Sequence, residues 1–200
     1  MSMIRDFKYF TISFFIGCDF DIFQSVTKQL KREQLALQKI RILKNKLNIE
    51  SYFNSPAGGA HYPHFSFWTS LLYPRIVFFI SNYEDGLTNL CHIIHSYVKG
   101  NMVICTFSNE LYMEYPGYHF HYSDTNFTER TILAYKEDKW VFYDQGTPLA
   151  FENTDYYKNR LIKKRLNNKI IEEYLLKLGI NIWDIDSQVD QCITYQQNAW

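Results

Sequence analysis

Two continuous apolar runs constrain the fold of this chain more than any other feature of its sequence. Residues 75–81 read RIVFFIS and residues 102–107 read MVICTF, and both are rich in β-branched and aromatic side chains. Runs of this length and composition are typical of strands buried on both faces of a sheet. Residues 86–98 lie between them, place apolar side chains on one helical face and end near Gly100. The sequence therefore predicts a strand–helix–strand crossover in a central sheet.

Other elements follow from the period of the apolar residues. Alternation predicts a strand at 7–16 and a hairpin formed by 130–136 and 139–144. Spacings that are sums of three and four predict one long amphipathic helix at about 22–47, with a basic outer side. Its apolar positions are Phe23, Val26, Leu30, Leu37, Ile40 and Leu47.

The remaining segments are predicted from helix periods and from Gly and Pro. Two helices are expected at about 154–166 and 168–178, the second ending at Gly179. Residues 50–70 are expected to form a loop, since Pro and Gly interrupt them, and 109–129 are expected to be irregular or at a sheet edge. The acidic, amide-rich end of the chain supports no definite prediction.

The predicted fold is α+β (mixed α/β), a single domain over residues 1–200. It has a central sheet, a long N-terminal amphipathic helix and C-terminal helices. A chain of 200 residues is long enough for one sizeable core.

The total charge gives no support for nucleic-acid or membrane binding, but the local charges leave nucleic-acid binding open. The net charge is zero, so the whole chain has no field that would attract nucleic acid or an anionic membrane. Locally, 28–46 hold seven Lys or Arg and 158–169 hold six, whereas 109–129 hold four acidic residues before Arg130 and no basic one. A nucleic-acid-binding regulator that uses the two basic segments as helices is therefore the alternative to a protein-binding role.

The first apolar segment admits two readings. Residues 9–18 end in Gly17-Cys18, which faintly resembles a lipoprotein cleavage site, but their alternation favours a half-buried strand.

The four cysteines are scattered and form no CxxC pair, so we expect reduced, buried thiols. Since no stretch is long enough to span a bilayer, a cytoplasmic protein is expected.

Catalytic motifs give no support for an enzyme. Ala57-Gly58-Gly59-Ala60 lacks the Lys-Ser/Thr of a phosphate-binding loop, and no nucleophile elbow is present. His92 and His95 have a spacing that can place two imidazoles on one helical face, which makes a metal enzyme a third hypothesis. Because no second ligand pair accompanies them, we expect no catalytic residue, no metal and no cofactor.

An acidic aromatic segment, 111–124, is the strongest candidate for a binding site. Tyrosine buries a large area at low cost in side-chain entropy, and nearby carboxylates favour a basic partner. The alternative is a strand pair whose alternate aromatic side chains are core. The predicted partner-binding residues are Tyr112, Glu114, Tyr115, Tyr118, His121, Tyr122 and Asp124.

Six motifs between residues 75 and 180 resemble a group of small bacterial proteins. They are Ser81-Asn-Tyr-Glu-Asp-Gly-Leu-Thr-Asn-Leu-Cys91, Tyr115-Pro-x-x-x-Phe-His-Tyr122, Glu129-Arg-x-x-x-Ala-Tyr-Lys136, Lys139-Trp-Val-Phe-Tyr-x-x-Gly-x-Pro-Leu-x-Phe-Glu152, Tyr157-Lys-x-Arg-x-Ile-x-x-Arg-Leu166 and Glu173-Tyr-Leu-x-x-Leu-Gly179. The group is the immunity proteins of polymorphic-toxin and contact-dependent growth-inhibition systems. The resemblance implies that the chain binds and neutralises a cognate toxin C-terminal domain, often a nuclease, and needs no small-molecule substrate or membrane.

Overall fold

The computed structural model describes residues 7–54 and 61–199. Within them, nine strands form one antiparallel sheet in the order β2-β9-β3-β4-β1-β5-β6-β7-β8. The strands are β1 (Tyr9–Ile16), β2 (Ile40–Lys44), β3 (His64–Ser70), β4 (Tyr73–Ser81), β5 (Asn101–Ser108), β6 (Gly117–Ser123), β7 (Glu129–Lys136), β8 (Trp140–Gln145) and β9 (Val189–Gln197).

Four helices cover parts of this sheet. They are α1 (Phe20–Leu30), α2 (Arg32–Ala36), α3 (Thr88–His95) and α4 (Asn168–Lys177). Helices α1 and α3 pack on one face, here called the α3 face, whereas α4 and the segment 180–185 pack on the other, the α4 face. Because both faces of β1, β4 and β5 are covered, these strands are apolar on both sides.

The middle of the sheet explains why the chain is so rich in phenylalanine. Phe14 and Phe78 lie on the α4 face with ring centroids 5.8 Å apart, and Phe15 and Phe23 lie on the α3 face at 4.8 Å. Successive residues of a strand point to opposite faces, so adjacent Phe14 and Phe15 belong to two separate cores. The centre of the sheet is thus buried between two aromatic layers.

The predicted fold class is wrong. The architecture is a single antiparallel sheet with four short helices among the described residues, the longest of 11 residues. No long N-terminal amphipathic helix is present in residues 7–54. The predicted crossover does connect β4 through α3 to β5, but β1 lies between those two strands and pairs antiparallel with each.

The prediction of one helix at 22–47 is wrong, because the helical structure is interrupted after Leu30 and ends at Ala36. Helix α1 ends at Leu30, α2 ends at Ala36, and Gln38 takes a left-handed φ of 54°. Of the next residues, Ile40, Arg41 and Ile42 alternate in polarity, and Ile40–Lys44 form β2, which pairs with β9. This period of two was masked by apolar spacings that also fit a helix, and long-range pairing decided between them.

Three further segments differ from their predictions. Residues 64–70 form an almost wholly buried strand inside the predicted 50–70 loop, and 117–123 form inner strand β6 within the supposedly irregular 109–129. The predicted helix at 154–166 contains only short 3-10 turns, at 156–158 and 162–164. Residues 189–197 form β9 between β2 and β3. The glycines of the Ala57–Ala60 turn lie outside the described residues.

Several local predictions are confirmed. These are the first strand, the 130–144 hairpin and the helix that ends before Gly179, whose φ is +80°. All four cysteines are free and buried. Among the helices described, none has the length and apolar character needed to cross a bilayer.

Several side chains converge on one buried cation, Arg130 at the start of β7. Its guanidinium contacts the carboxylates of Asp144 and Glu152, and it donates to the carbonyl of Gln145 at 2.9 Å. Tyr157 in turn donates to Glu152 at 2.7 Å. These side chains fix the β7–β8 hairpin to the chain before α4, so their role is structural.

Candidate functional site

The connection from β5 to β6, residues 109–116, is the most exposed apolar segment near the predicted site. Leu111 is 87% exposed, and Tyr112 and Tyr115 are each 56% exposed. The base of this loop is ordered, since Asn109 accepts hydrogen bonds from the backbone N–H groups of Tyr112 and Met113 at 3.0 Å. A held backbone with outward side chains lowers the entropy lost when a partner binds.

Beside this loop lies a groove, here called the acidic groove. Its lining residues are Tyr9, Glu84, Asp85, Thr106, Ser108, Met113, Tyr115 and Gly117. The loop contributes an aromatic ring and a thioether, and the turn before α3 contributes two exposed carboxylates. No Lys or Arg is found among the described residues that line it. The groove therefore combines negative charge with apolar surface.

The carboxylates near the groove raise the pKa values of two tyrosines that line it, Tyr9 and Tyr115. Burial raises the pKa of Tyr9, and the Glu84 carboxylate raises it further. A hydrogen bond to Glu114 raises the pKa of Tyr115. Lys136 reaches the loop from β7 but donates to the backbone carbonyl of Glu114, at 3.3 Å. The described contact of Lys136 is therefore with the backbone of the loop, whereas Glu110 of the same loop pairs with Lys163 at 3.8 Å.

Three of the seven predicted contact residues, Tyr112, Glu114 and Tyr115, lie together on the 109–116 loop. Tyr118 and Tyr122 belong to β6 and turn toward the α4 face. Tyr118 is only 2% exposed, and its hydroxyl donates to Glu110 Oε1 at 2.9 Å. Burial places Tyr118 in the core, in agreement with the alternative reading of the segment.

His121 and Asp124 lie away from the loop. His121 points to the α3 face and is 6% exposed. Asp124 closes the turn from β6 to β7, where its Oδ1 accepts the backbone N–H groups of Asn126 and Thr128 at 2.8 and 2.9 Å. The seven predicted contact residues therefore do not form one surface. Successive side chains of β6 point to opposite faces of the sheet, and the strand separates the 109–116 loop from the turn at Asp124.

A second group of functional side chains lies on the α3 face. His92 of α3, His121 of β6 and Glu129 of β7 each offer one potential ligand atom, and these atoms all lie within 4.8 Å of one another. The rings of His92 and His121 have centroids 5.2 Å apart. We call these three residues the histidine cluster. His92 and Glu129 are exposed, and His121 forms its floor.

His121 has one satisfied and one unsatisfied ring nitrogen. Its Nδ1 lies 2.9 Å from the hydroxyl of Thr131, the residue directly opposite on β7. Its Nε2 is buried and finds no hydrogen-bond partner within residues 7–54 and 61–199. Burial first, and the neighbouring His92 second, lower the pKa of His121 to about 4, although Glu129 acts in the opposite direction. The imidazole is therefore neutral at neutral pH.

His119 lies two residues before His121 on the same face. Its burial, together with His121 and His92, lowers its pKa to about 4. The ring centroids of His119 and His121 are 6.1 Å apart. A row of neutral imidazoles therefore runs along β6 toward α3.

The sequence led us to expect no metal site, and the pair weighed in the third hypothesis was His92 with His95. His95 Nε2 instead lies 3.1 Å from the carbonyl oxygen of Gly100, and its ring packs against Phe127. The alternation of His119 and His121 was a usable signal for a shared face. Their proximity to His92 and Glu129 depends on strand order, which local sequence does not encode.

The basic segments do not form the predicted helical surfaces. Residues 28–46 include the end of α1, the whole of the short helix α2 and strand β2. In the second segment, Arg165 donates to the Asn159 carbonyl at 2.8 Å and lies over the ring of Phe142. Lys158 pairs with Asp155 at 2.8 Å. Nucleic-acid binding stays a prediction.

Comparison of this chain with protein-family models, with curated proteins and with solved structures finds no match.

Proposed function

We propose that this chain binds a basic protein partner through the acidic groove and the 109–116 loop, and that it acts as a cytoplasmic immunity protein of a toxin system. The observation that carries this proposal is the groove between Tyr115 and Met113 on one side and Glu84 and Asp85 on the other. The family resemblance supplies the toxin as the class of partner. Inhibition by binding requires no catalytic residue and no cofactor.

The groove has the chemistry to accept an arginine or lysine side chain. A guanidinium between two carboxylates forms charge-assisted hydrogen bonds, and the face of a tyrosine ring attracts the same cation. Leu111 and Tyr112 lie outside the groove and offer apolar area around that contact. Aromatic anchors surrounded by apolar area are typical of the residues that dominate binding energy.

A basic toxin domain also fits the electrostatics. Nucleases contact phosphates through Lys and Arg, so an inhibitor that presents carboxylates can occupy the same surface. Exposed acidic groups increase the rate of encounter with such a partner. A stable complex buries about 800 Å² on each side, so the interface must extend beyond the loop to neighbouring surface.

The test is co-expression of the tagged chain with the C-terminal domain encoded by the gene immediately upstream, followed by measurement of affinity and of cell survival. We expect a nanomolar complex and rescue of growth. Tyr115→Ala and Glu84→Lys should each weaken binding at least tenfold. Absence of both a complex and rescue would contradict the immunity role.

Matched controls separate the groove from the rest of the surface. Tyr97 on the α3 side is 66% exposed, and Glu33 is exposed on α2, which contacts the distant edge strand β2. Tyr97→Ala and Glu33→Lys repeat the same chemical changes away from the groove, so affinity should be unchanged. Equal losses in the groove and control variants would place the interface elsewhere.

A further inference from the structure

We propose that His92, His121 and Glu129 form a binding site for one divalent transition-metal ion of the zinc class. Three elements of the fold, α3, β6 and β7, each supply one ligand atom, and all three atoms already lie within 4.8 Å of one another. This site is separate from the acidic groove and shares no residue with it.

His121 is oriented as a metal ligand. Register places Thr131 directly opposite it, and the Thr131 hydroxyl lies 2.9 Å from Nδ1. With Nδ1–H donating to that hydroxyl, Nε2 presents its lone pair to the cluster. Hydrogen bonding of the second nitrogen is how proteins fix the tautomer and the ring orientation of histidine ligands.

The orphan Nε2 is an independent indication of a ligand. His121 is 94% buried, since only 6% of it is exposed, and Nε2 meets no donor or acceptor in the described chain. A buried polar atom without a partner is unfavourable, and such atoms are rare in folded proteins. A metal ion at the mouth of the cluster would satisfy it, and His92 and Glu129 lie on the solvent side where an ion would enter.

The other two ligands can adjust to close the site. Zinc bonds of about 2.0–2.2 Å require tetrahedral ligand atoms about 3.4 Å apart. This separation is shorter than the 4.8 Å within which the three ligand atoms now lie. His92 and Glu129 are exposed, so rotation of their side chains can shorten these separations without disturbing the core. The rigid buried imidazole and the two mobile ligands together make a site that closes around its ion.

The donor set selects the class of metal. Two imidazoles and one carboxylate suit zinc and its neighbours, whereas calcium and magnesium prefer oxygen ligands alone. Three protein ligands leave a fourth position open to solvent, which water would occupy. The four cysteines are all buried and so offer no competing thiolate site at the surface.

The experiment uses the full chain, freed of metal with EDTA and kept reduced. Titration calorimetry with ZnCl2 at pH 7.5 should show one ion per chain with a dissociation constant in the micromolar range or below. Titration with CoCl2 should give the visible absorption of a low-coordinate cobalt site. No saturable binding of either ion would overturn the proposal.

Variants locate the ion. His92→Gln and Glu129→Gln change exposed side chains, so the fold should persist, and each should weaken Zn²⁺ binding at least tenfold. The controls are His61→Gln and Glu137→Gln, which should bind as the unaltered chain does. Binding that survives His92→Gln and Glu129→Gln unchanged would overturn the assignment, because the ion would then lie elsewhere.

The outcome is independent of partner binding. Neither variant touches the loop or the acidic groove, so failure of toxin binding would leave the metal result intact. Conversely, a chain that binds no zinc can still form the proposed complex through the groove.

Discussion

Arg130 and Glu152 form a buried ion pair, with Nη2 of the arginine 2.8 Å from Oε2 of the glutamate and their side chains 1% and 0% exposed. Arg130 Nε also donates to Oε1 of Glu152 at 2.9 Å, so the contact is bidentate. The backbone N–H of Leu149 and the hydroxyl of Tyr157 donate to the same carboxylate. Removal of either charged partner leaves the other buried with too few partners.

Glu152→Ala should therefore destabilise the fold by about 3–5 kcal/mol, the usual cost of breaking a buried ion pair. Urea denaturation followed by fluorescence measures this change. The control is Asp155→Ala, which removes the exposed pair with Lys158 and should leave the free energy of unfolding unchanged. A small effect of Glu152→Ala would mean that Asp144 alone balances Arg130.

The Glu152 carboxylate also makes the free energy of unfolding depend on pH in the acidic range. Burial raises the pKa of Glu152, but hydrogen bonds from Arg130, Leu149 and Tyr157 outweigh burial, and the net pKa lies below its ordinary value. A depressed folded-state pKa gives stability that is present above the unfolded-state pKa, about 4.3. This stability is lost as pH falls from there through the folded-state pKa.

In Glu152→Gln that acid-dependent contribution is absent. The difference in unfolding free energy between the unaltered chain and this variant should be constant above pH 5 and shrink below about pH 4. Denaturation series at several pH values measure it. A difference that does not shrink in acid would assign the acid sensitivity to other carboxylates, and Glu137→Gln serves as the exposed control.

Local sequence predicts strands whose burial leaves a direct pattern, but not strands whose pattern fits a helix or a loop equally well. Alternation placed β1, and a continuous apolar run placed β4, because burial on one or both faces leaves a direct pattern. Ile40, Arg41 and Ile42 also alternate in polarity, yet Ile40 continues the helical spacing of the apolar residues before it. Only pairing with β9, about 150 residues later in the chain, distinguishes the two structures.

Of the two candidate sites, the sequence indicates part of one and does not indicate the other. Exposure of Tyr112 and Tyr115 agrees with the expectation that the segment from residue 109 is irregular, which holds as far as Pro116. The histidine cluster does not follow, since β6 and β7 must pair in one register before Thr131 comes opposite His121. Chemistry assembled across strands is visible only after the topology is known.

Gly146 ends β8 in a conformation that only glycine adopts without strain. Its φ is +87°, and a Cβ atom would lie 2.2 Å from the backbone oxygen of Glu129. Gly146→Ala should therefore destabilise the fold by more than about 3 kcal/mol, since a backbone clash adds to left-handed strain. Thermal unfolding measures the loss.

Gly179 is the matched control for that substitution. Its φ is +80°, but nothing lies within 4 Å of the position a Cβ would take. Gly179→Ala should cost only the conformational penalty, about 1–2 kcal/mol. Equal losses of stability at the two positions would show that strands β7 and β8 shift enough to remove the clash.

The proposed partner complex should associate faster at low salt. Carboxylates on the groove accelerate encounter with a basic partner, and this effect is screened beyond about 10 Å at 0.1 M salt. Stopped-flow association rates should fall with ionic strength for the unaltered chain and respond less in Glu84→Lys. Rates that are independent of salt would argue for an apolar interface centred on Leu111 and Tyr112.

Zinc should stabilise the fold through the histidine cluster, because the ion binds only where α3, β6 and β7 are assembled. At a zinc concentration 100 times the dissociation constant, linkage predicts about 2.7 kcal/mol of added stability. The midpoint of thermal unfolding should rise with added ZnCl2 in the unaltered chain and in His61→Gln. It should not rise in His92→Gln, which lacks one of the three ligands but retains Thr131 and the orientation of His121. An equal rise in His92→Gln would mean that zinc stabilises the chain from a site outside the cluster.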